Sequence, residues 1–245
     1  MGRYCVIAVA LIGALIGALT SAAAADTPAV APSACPPYAR SIKLSFKTLD
    51  PEPSQNNALN ITSIRDFLRA RGHVFAGRHQ KTLGVTSFQL AFNMSGKTYA
   101  VPTKGGYCVY LSEVIAEYGY RSHDVFIASE FAPGSCEYNA VMDHENQHVA
   151  INRSAIREGG PRLRQELERR LQSAPPKFTR DPQFGTDRAL SEVYLAMNKF
   201  MDDIAAAQAS RNSAIDNAGN YDAIGNLCSN WDKGNVWPQV ERMQP

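Results

Sequence analysis

The sequence predicts a protein of the α+β class. Residues 41–131 contain several stretches that alternate apolar and polar side chains or are rich in Val, Ile, Phe and Tyr, as strands are. From residue 136 onward, apolar residues recur at helical spacing instead. Because most of the strands precede the main helices rather than alternating with them, we expect a small antiparallel sheet followed by helices.

Composition and charge indicate a folded protein with no electrostatic preference for nucleic acid. The chain has 245 residues, of which 44% are hydrophobic, and a formal net charge of +2. A near-neutral balance gives no attraction for nucleic acids or acidic membranes. After Ala25 no stretch is long and apolar enough to span a bilayer, so we expect no stable membrane insertion. The oligomeric state does not follow from the sequence.

The first 25 residues have the layout of a secretory signal peptide. Arg3 precedes an apolar stretch from Cys5 to Leu19, and a small-residue segment then offers a cleavage site ending at Ala25. Residues 26–40 form an extended Pro- and Ala-rich lead-in, and residues 41–245 are enough for a single domain. We therefore expect a secreted or periplasmic protein.

Four cysteines remain beyond the predicted signal peptide, and none of their spacings forms a zinc knuckle. An even number in an exported chain predicts two disulfides, and three connectivities are possible. The four are Cys35, Cys108, Cys136 and Cys228.

The β-rich part is predicted to contain a strand at 41–49, a helix at 61–72 and then four further strands. Residues 82–96 and 97–103 form two candidate strands around a turn at "MSGK". Residues 107–120 and 123–131 form two more, which the turn-like "GYRS" would join as a hairpin. The last of these strands, "HDVFIASEF", is a candidate edge strand that could hold an extended peptide by β-addition.

Helices dominate the second half. Ser135 is a candidate N-cap for a helix from Cys136 to about Glu158, and "GGP" at 159–161 is a strong stop signal. A short helix over 161–172, a long helix from about Asp187 to Ala214 and an irregular tail follow. In the first helix, the uncharged Asn146 and Gln147 and many apolar residues predict burial on most sides.

The "HENQH" segment predicts a metal site with its own base. His144 and His148 are four residues apart, so on a helix they share one face and can bind one Zn²⁺. Glu145 follows His144 directly and can reach a water on the metal without being a ligand. Zinc acidifies such a water, and the carboxylate accepts its proton as the water attacks a carbonyl.

A catalytic zinc needs a third protein ligand, which the spacing does not identify. No histidine follows His148, so a carboxylate is expected. Asp216 is the first candidate, because it follows Ile215, which continues the apolar stripe of the long helix. Tyr221 is a candidate hydrogen-bond donor to an oxyanion nearby. The remaining third-ligand candidates, in order, are Glu166, Glu192 and Glu168.

The segment "VMDHENQHVA" resembles the extended zincin consensus. The wider stretch "GSCEYNAVMDHENQHVAINRSAI", with the long helix and the "GNYD" segment after it, resembles bacterial proteins described as predicted secreted zinc-dependent proteases. The resemblance implies a zincin-like fold and a zinc metallopeptidase, with His144 and His148 as ligands and Glu145 as base. It does not identify a substrate.

The expected function is hydrolysis of peptide bonds in proteins or peptides outside the cytoplasm. One alternative is an exported, envelope-associated binding or structural protein whose metal site is non-catalytic or absent. Another is zinc-dependent hydrolysis of a different amide, since the same residues would serve. A metal with an open coordination position would indicate the enzyme, whereas a metal held by four protein ligands, or no metal, would indicate the binding protein.

Overall fold

The computed structural model describes residues 35–37, 41–72 and 82–231, and it confirms the α+β class. The predicted signal peptide and most of the lead-in lie outside the described residues. The strands are β1 (Lys43–Leu49), β2 (Ser54–Asn56), β3 (Gly84–Thr103), β4 (Gly106–Ile127) and β5 (Lys177–Thr179). The helices are α1 (Ile61–Ala70), α2 (Cys136–Ser173), α3 (Pro182–Ile215) and α4 (Ala218–Gly225).

All four other strands of the sheet pair with β4. β3 pairs antiparallel to it from Gly84 opposite Ile127 to Thr103 opposite Gly106, and β5 is also antiparallel. β1 and β2, however, run parallel to β4. The prediction of a purely antiparallel sheet was therefore wrong. Parallel pairing needs a long connection, and here α1 and β3 lie between the two early strands and β4.

The four strands predicted between residues 82 and 131 are in fact two. β3 continues through "MSGK" with a register shift between Lys97 and Thr98, and the hairpin turns at Gly105, whose φ is +83°. β4 continues through "GYRS". Gly119 there has φ +141°, and a Cβ at this position would lie 1.9 Å from the Leu49 carbonyl oxygen. The glycine allows close approach of β1 rather than a turn.

The predicted edge strand at 123–131 is central instead. Residues 124–126 pair with β2 on one side and with β3 on the other. No free backbone edge is left there for a substrate peptide, so the prediction of β-addition to this segment was wrong.

The prediction that "GGP" ends the first helix was also wrong, because α2 continues without interruption through Pro161. Gly159 and Gly160 are buried, and a Cβ on Gly159 would lie 3.0 Å from Ile204 Cδ1 of α3. The glycines therefore mark the close crossing of two helices.

α3 begins at Pro182, with Asp181 as its N-cap, which is earlier than the predicted Asp187. Part of the tail predicted as irregular forms α4, capped by Asn217.

Helix α2 joins two parts of the core. Its first half packs with α1 and the end of β4 around Ile64, Ile127 and Val141, and its second half packs with α3 and the middle of β4 around Leu163 and Met197. The predicted burial on most sides is confirmed, since Val141, Met142, Val149 and Ile156 are all buried, but the uncharged Asn146 and Gln147 are not among the buried residues. One face of the first half is exposed, at Asp143, Asn146, Gln147 and Ala150.

Two disulfides are present, as predicted. They join Cys35 to Cys108 and Cys136 to Cys228. The second connects the first residue of α2 to the segment that follows α4. Among the described residues, no helix is both long enough and apolar enough for a membrane span.

Candidate metal centre

The two histidines of the motif lie on the inner side of α2. Ser135 caps this helix by accepting a hydrogen bond from the Tyr138 amide, so the register of the first turns is fixed at the N-terminus. The rings of His144 and His148 are 4.9 Å apart, centroid to centroid, and nearly perpendicular at 88°. Their side chains are only 8% and 11% exposed.

Asp216 ends α3 and brings a carboxylate to both rings. Its Oδ1 lies 3.2 Å from His144 Nε2 and 3.1 Å from His148 Nε2. Partial burial alone would raise the pKa of Asp216, but hydrogen bonds from the two rings hold this pKa well below its usual range. For His148, burial favours the neutral ring, yet hydrogen bonds to Asp216 and Asn212 outweigh burial and raise its pKa.

These three residues form a group that could hold a metal ion. One potential ligand atom from each lies within 4.8 Å of the others, and no comparable group of His, Cys, Asp or Glu occurs elsewhere among the described residues. Two imidazoles and one carboxylate are a donor set of catalytic zinc, and ligand atoms at about 2.0–2.2 Å in tetrahedral geometry are roughly 3.4 Å apart. The two observed N–O separations are close to that value. The residues therefore fit a metal ion, whose identity the geometry leaves open.

Glu145 lies beside the group without belonging to it. The residue is 4% exposed, and the Thr86 hydroxyl of β3 donates to its Oε2 over 2.8 Å and lies 3.1 Å from its backbone oxygen. Burial raises the pKa of this carboxyl, and the Thr86 hydrogen bond opposes the rise. The site thus contains two carboxylates with pKa values displaced in opposite directions, which is typical of groups with different chemical roles.

Tyr221 of α4 stands at the open side of the group. Its hydroxyl donates to Asp216 Oδ1 over 2.9 Å, its ring is 5.6 Å from that of His144, and 41% of the residue is exposed. Burial of the rest, together with the Asp216 charge, raises the pKa of the phenol. The hydroxyl is therefore a proton donor at neutral pH and lies beside the predicted ligands, as the sequence predicts.

The other three candidate third ligands lie elsewhere in ion pairs. Glu168 pairs with Arg164 on the surface of α2. Glu166 pairs with Arg169 and Arg170 on the same helix, and Glu192 with Lys177 and Arg188. Their carboxylates are used by the guanidinium and ammonium groups of neighbours.

Four residues of the site surroundings were not predicted. Gly84 and Thr86 reach Glu145 from β3, a contact that has no local signal because the strand is distant in the sequence. Asn212 Oδ1 lies 2.8 Å from His148 Nδ1, and Asn212 Nδ2 donates to Asn152 Oδ1. These two could have been found, because each is one helical turn from a predicted ligand on its own helix.

Comparison of the chain with family models, curated proteins and solved structures gave no match. Function is therefore inferred from the chemistry of the site.

Proposed function

We propose that this protein is an exported zinc metallopeptidase of the zincin type. The observation that carries the proposal is the convergence of His144 Nε2 and His148 Nε2 on one carboxylate oxygen of Asp216. Three such donors leave one tetrahedral position for water or substrate. Glu145 lies on α2, the helix of the two histidines, but outside the donor group. The alternative of a purely structural metal site lacks a fourth protein ligand among the described residues.

Bound zinc would supply Lewis acidity, polarising the substrate carbonyl and making water a better acid. The protein's own groups do the rest. Glu145 accepts the proton of the attacking water and returns it to the leaving amine, and burial moves its pKa upward, the direction that suits a group doing both near neutral pH. Thr86 fixes one carboxylate oxygen of Glu145 by donating to it, which limits the orientations that this carboxylate can take.

Tyr221 is suited to stabilise negative charge on the carbonyl oxygen. Its hydroxyl remains protonated next to the donor group, and in the proposed reaction it would turn its proton from Asp216 Oδ1 to the substrate oxygen. Asp216 has a depressed pKa and stays anionic, as a metal ligand must. Export is supported by the signal-peptide pattern of residues 1–25 and by the two disulfides.

The first experiment measures zinc bound to the purified protein by elemental mass spectrometry. We expect about one zinc per chain, little in Asp216→Asn, and the parent amount in Asp222→Asn, since Asp222 is an exposed aspartate in the same segment. If the parent holds no zinc after exposure to it, the proposal is wrong and a binding or structural role takes its place.

The second experiment tests the base with a peptide library. Glu145→Gln should keep its zinc and lose about 10²- to 10⁴-fold in kcat, the usual contribution of a general base. Equal hydrolysis by parent and variant would remove Glu145 from the mechanism. Zinc binding without cleavage of any peptide would favour another amide substrate or a non-catalytic site.

A further inference from the structure

A network of hydrogen-bonded, buried side chains extends from His148 into the protein, and the proposed reaction does not use it. Asn152 is 1% exposed, Gln208 4% and His123 2%. These residues come from three elements, α2, α3 and β4 respectively. Polar side chains at such depth persist only when hydrogen-bonded. Such a network can fix the orientation of the group at its end.

The network begins at the nitrogen of His148 that faces away from the ligand group. Asn212 Oδ1 lies 2.8 Å from His148 Nδ1, while Nε2 of the same ring faces Asp216. An amide oxygen can only accept a hydrogen bond. With the oxygen of Asn212 in this place, Nδ1 carries a proton and Nε2 is the nitrogen left to bind a metal.

The orientation of the Asn212 amide is fixed by Asn152. Asn212 Nδ2 donates to Asn152 Oδ1 over 2.9 Å, and Gln208 Nε2 donates to the same oxygen over 2.7 Å. Turning Asn212 alone by 180° would place its oxygen against that of Asn152, with no proton between them. The one amide oxygen of Asn152 thus holds two donors that are one turn apart on α3.

Asn152 is itself held on two sides. Its Nδ2 lies 3.3 Å from His123 Nε2, and its backbone oxygen accepts a hydrogen bond of 3.2 Å from the Tyr120 hydroxyl. Both partners belong to β4, the central strand of the sheet. The orientation of a side chain at the metal group is therefore anchored in β4, the strand with which the other strands pair.

We infer that Asn212 is a positioning residue that holds His148 as the Nδ1-protonated tautomer, with Nε2 directed at the metal, and that Asn152 holds Asn212 in the required orientation. This inference rests on the proposed metal site. Partners of this kind, one step beyond a ligating histidine, orient the ring and increase its affinity for the metal.

The test measures zinc affinity by competition with a chelator in the parent, Asn212→Leu and Ser213→Leu. Asn212→Leu removes the acceptor at similar size, and Ser213 is the exposed neighbour on the same helix. We expect Asn212→Leu to lower the affinity by about 10- to 100-fold. Ser213→Leu should match the parent. Asn152→Leu, which touches no proposed ligand, should also weaken binding, by less.

A second readout does not depend on affinity. In the zinc-loaded parent, NMR of ¹⁵N-labelled histidine should show His148 bound through Nε2, with a proton on Nδ1 that exchanges slowly with water. In Asn212→Leu this proton should exchange rapidly. If Asn212→Leu does not fold by circular dichroism, Asn212→Ala against Ser213→Ala provides the same comparison, and the parent spectrum tests the tautomer without any variant.

The outcomes separate the two claims. A parent that binds no zinc overturns both the proposed function and this inference. A parent that binds zinc, with an Asn212 variant that binds it equally well, overturns the inference alone. So does a parent spectrum in which His148 binds zinc through Nδ1.

Discussion

At the scale of single residues, Gly84 provides the space that the Glu145 carboxylate occupies. A Cβ on Gly84 would lie 2.6 Å from Val141 Cγ1 and 2.9 Å from Glu145 Oε1. Gly84→Ala should therefore displace the proposed base and cost about 1–3 kcal/mol of unfolding free energy through overpacking. A displacement of about 1 Å lowers kcat by up to about 10²-fold. Bound zinc should not change, because no ligand is touched.

Peptide hydrolysis, zinc content and urea unfolding of the same preparation check this prediction. Gly160→Ala is the matched control, since its new methyl group would meet Thr48 at an ordinary 3.5 Å and lies three turns from His148. Unchanged kcat in Gly84→Ala would mean that the base tolerates the methyl group.

His123 should make stability depend on pH. Burial lowers the pKa of its ring in the folded state, whereas in the unfolded chain it returns towards about 6.5. Between the two values the unfolded chain binds more protons, so the free energy of unfolding falls as the solution is acidified below about pH 6.5. His148, with a raised pKa, contributes the opposite slope in metal-free protein.

Urea unfolding of metal-free parent and His123→Gln at about pH 7.5 and about pH 5.5 isolates the His123 contribution, because His148 is present in both proteins. The parent should lose more stability on acidification than the variant. Equal losses would show that folding does not lower the pKa of the His123 ring.

At the scale of elements, the two glycines inside α2 should respond differently to a methyl group. Alanine is favoured over glycine in a helix by about 1 kcal/mol. At Gly160 the methyl group meets only ordinary contacts, so Gly160→Ala should raise the unfolding free energy by about 0.5–1 kcal/mol. At Gly159 it would lie 3.0 Å from Ile204 Cδ1 and 3.2 Å from Cγ2, so the gain should be smaller or reversed.

Denaturant titration of the two variants and the parent measures the change in unfolding free energy that each methyl group causes. A larger gain at Gly159 than at Gly160 would mean that α3 moves away from α2 at little cost, contrary to close packing at this crossing.

The elements also show what a sequence can predict here. Local signals gave the cap at Ser135, the spacing of His144 and His148, and the α+β order. The same signals failed at Gly119 and at "GGP", since a glycine that allows another backbone to approach has the same letter as one that turns the chain. Asp216 could be ranked first among the candidate third ligands because it follows Ile215, which continues the apolar stripe of α3. Thr86 was not, since only the register of β3 against β4 brings it to Glu145.

At the scale of the whole molecule, the Cys136–Cys228 disulfide connects the two parts of the metal group. Cys136 begins the helix of the histidines, and Cys228 follows the segment that carries Asp216 and Tyr221. Replacing both cysteines by serine should lower the unfolding free energy by about 2–5 kcal/mol. Zinc affinity should fall as well, because the two parts of the group are then held together less firmly.

The matched control is the double replacement of Cys35 and Cys108. This disulfide lies at the other end of β4, where Cys108 pairs with Phe178, far along the strand from Ile127. It should cost comparable stability without lowering zinc affinity in protein that remains folded, measured by chelator competition. Equal loss of affinity in both double variants would mean that the effect is general loosening.

The separation of the proposed ligands along the chain has a consequence for biosynthesis. Asp216 lies 68 residues after His148, so a ribosome completes the HExxH helix long before the third donor exists. A nascent or prematurely terminated chain carries two histidines but cannot form the three-donor group. The protein would thus acquire its metal only after α3 has docked on α2, and in the proposed peptidase this order delays hydrolytic activity until synthesis has passed Asp216.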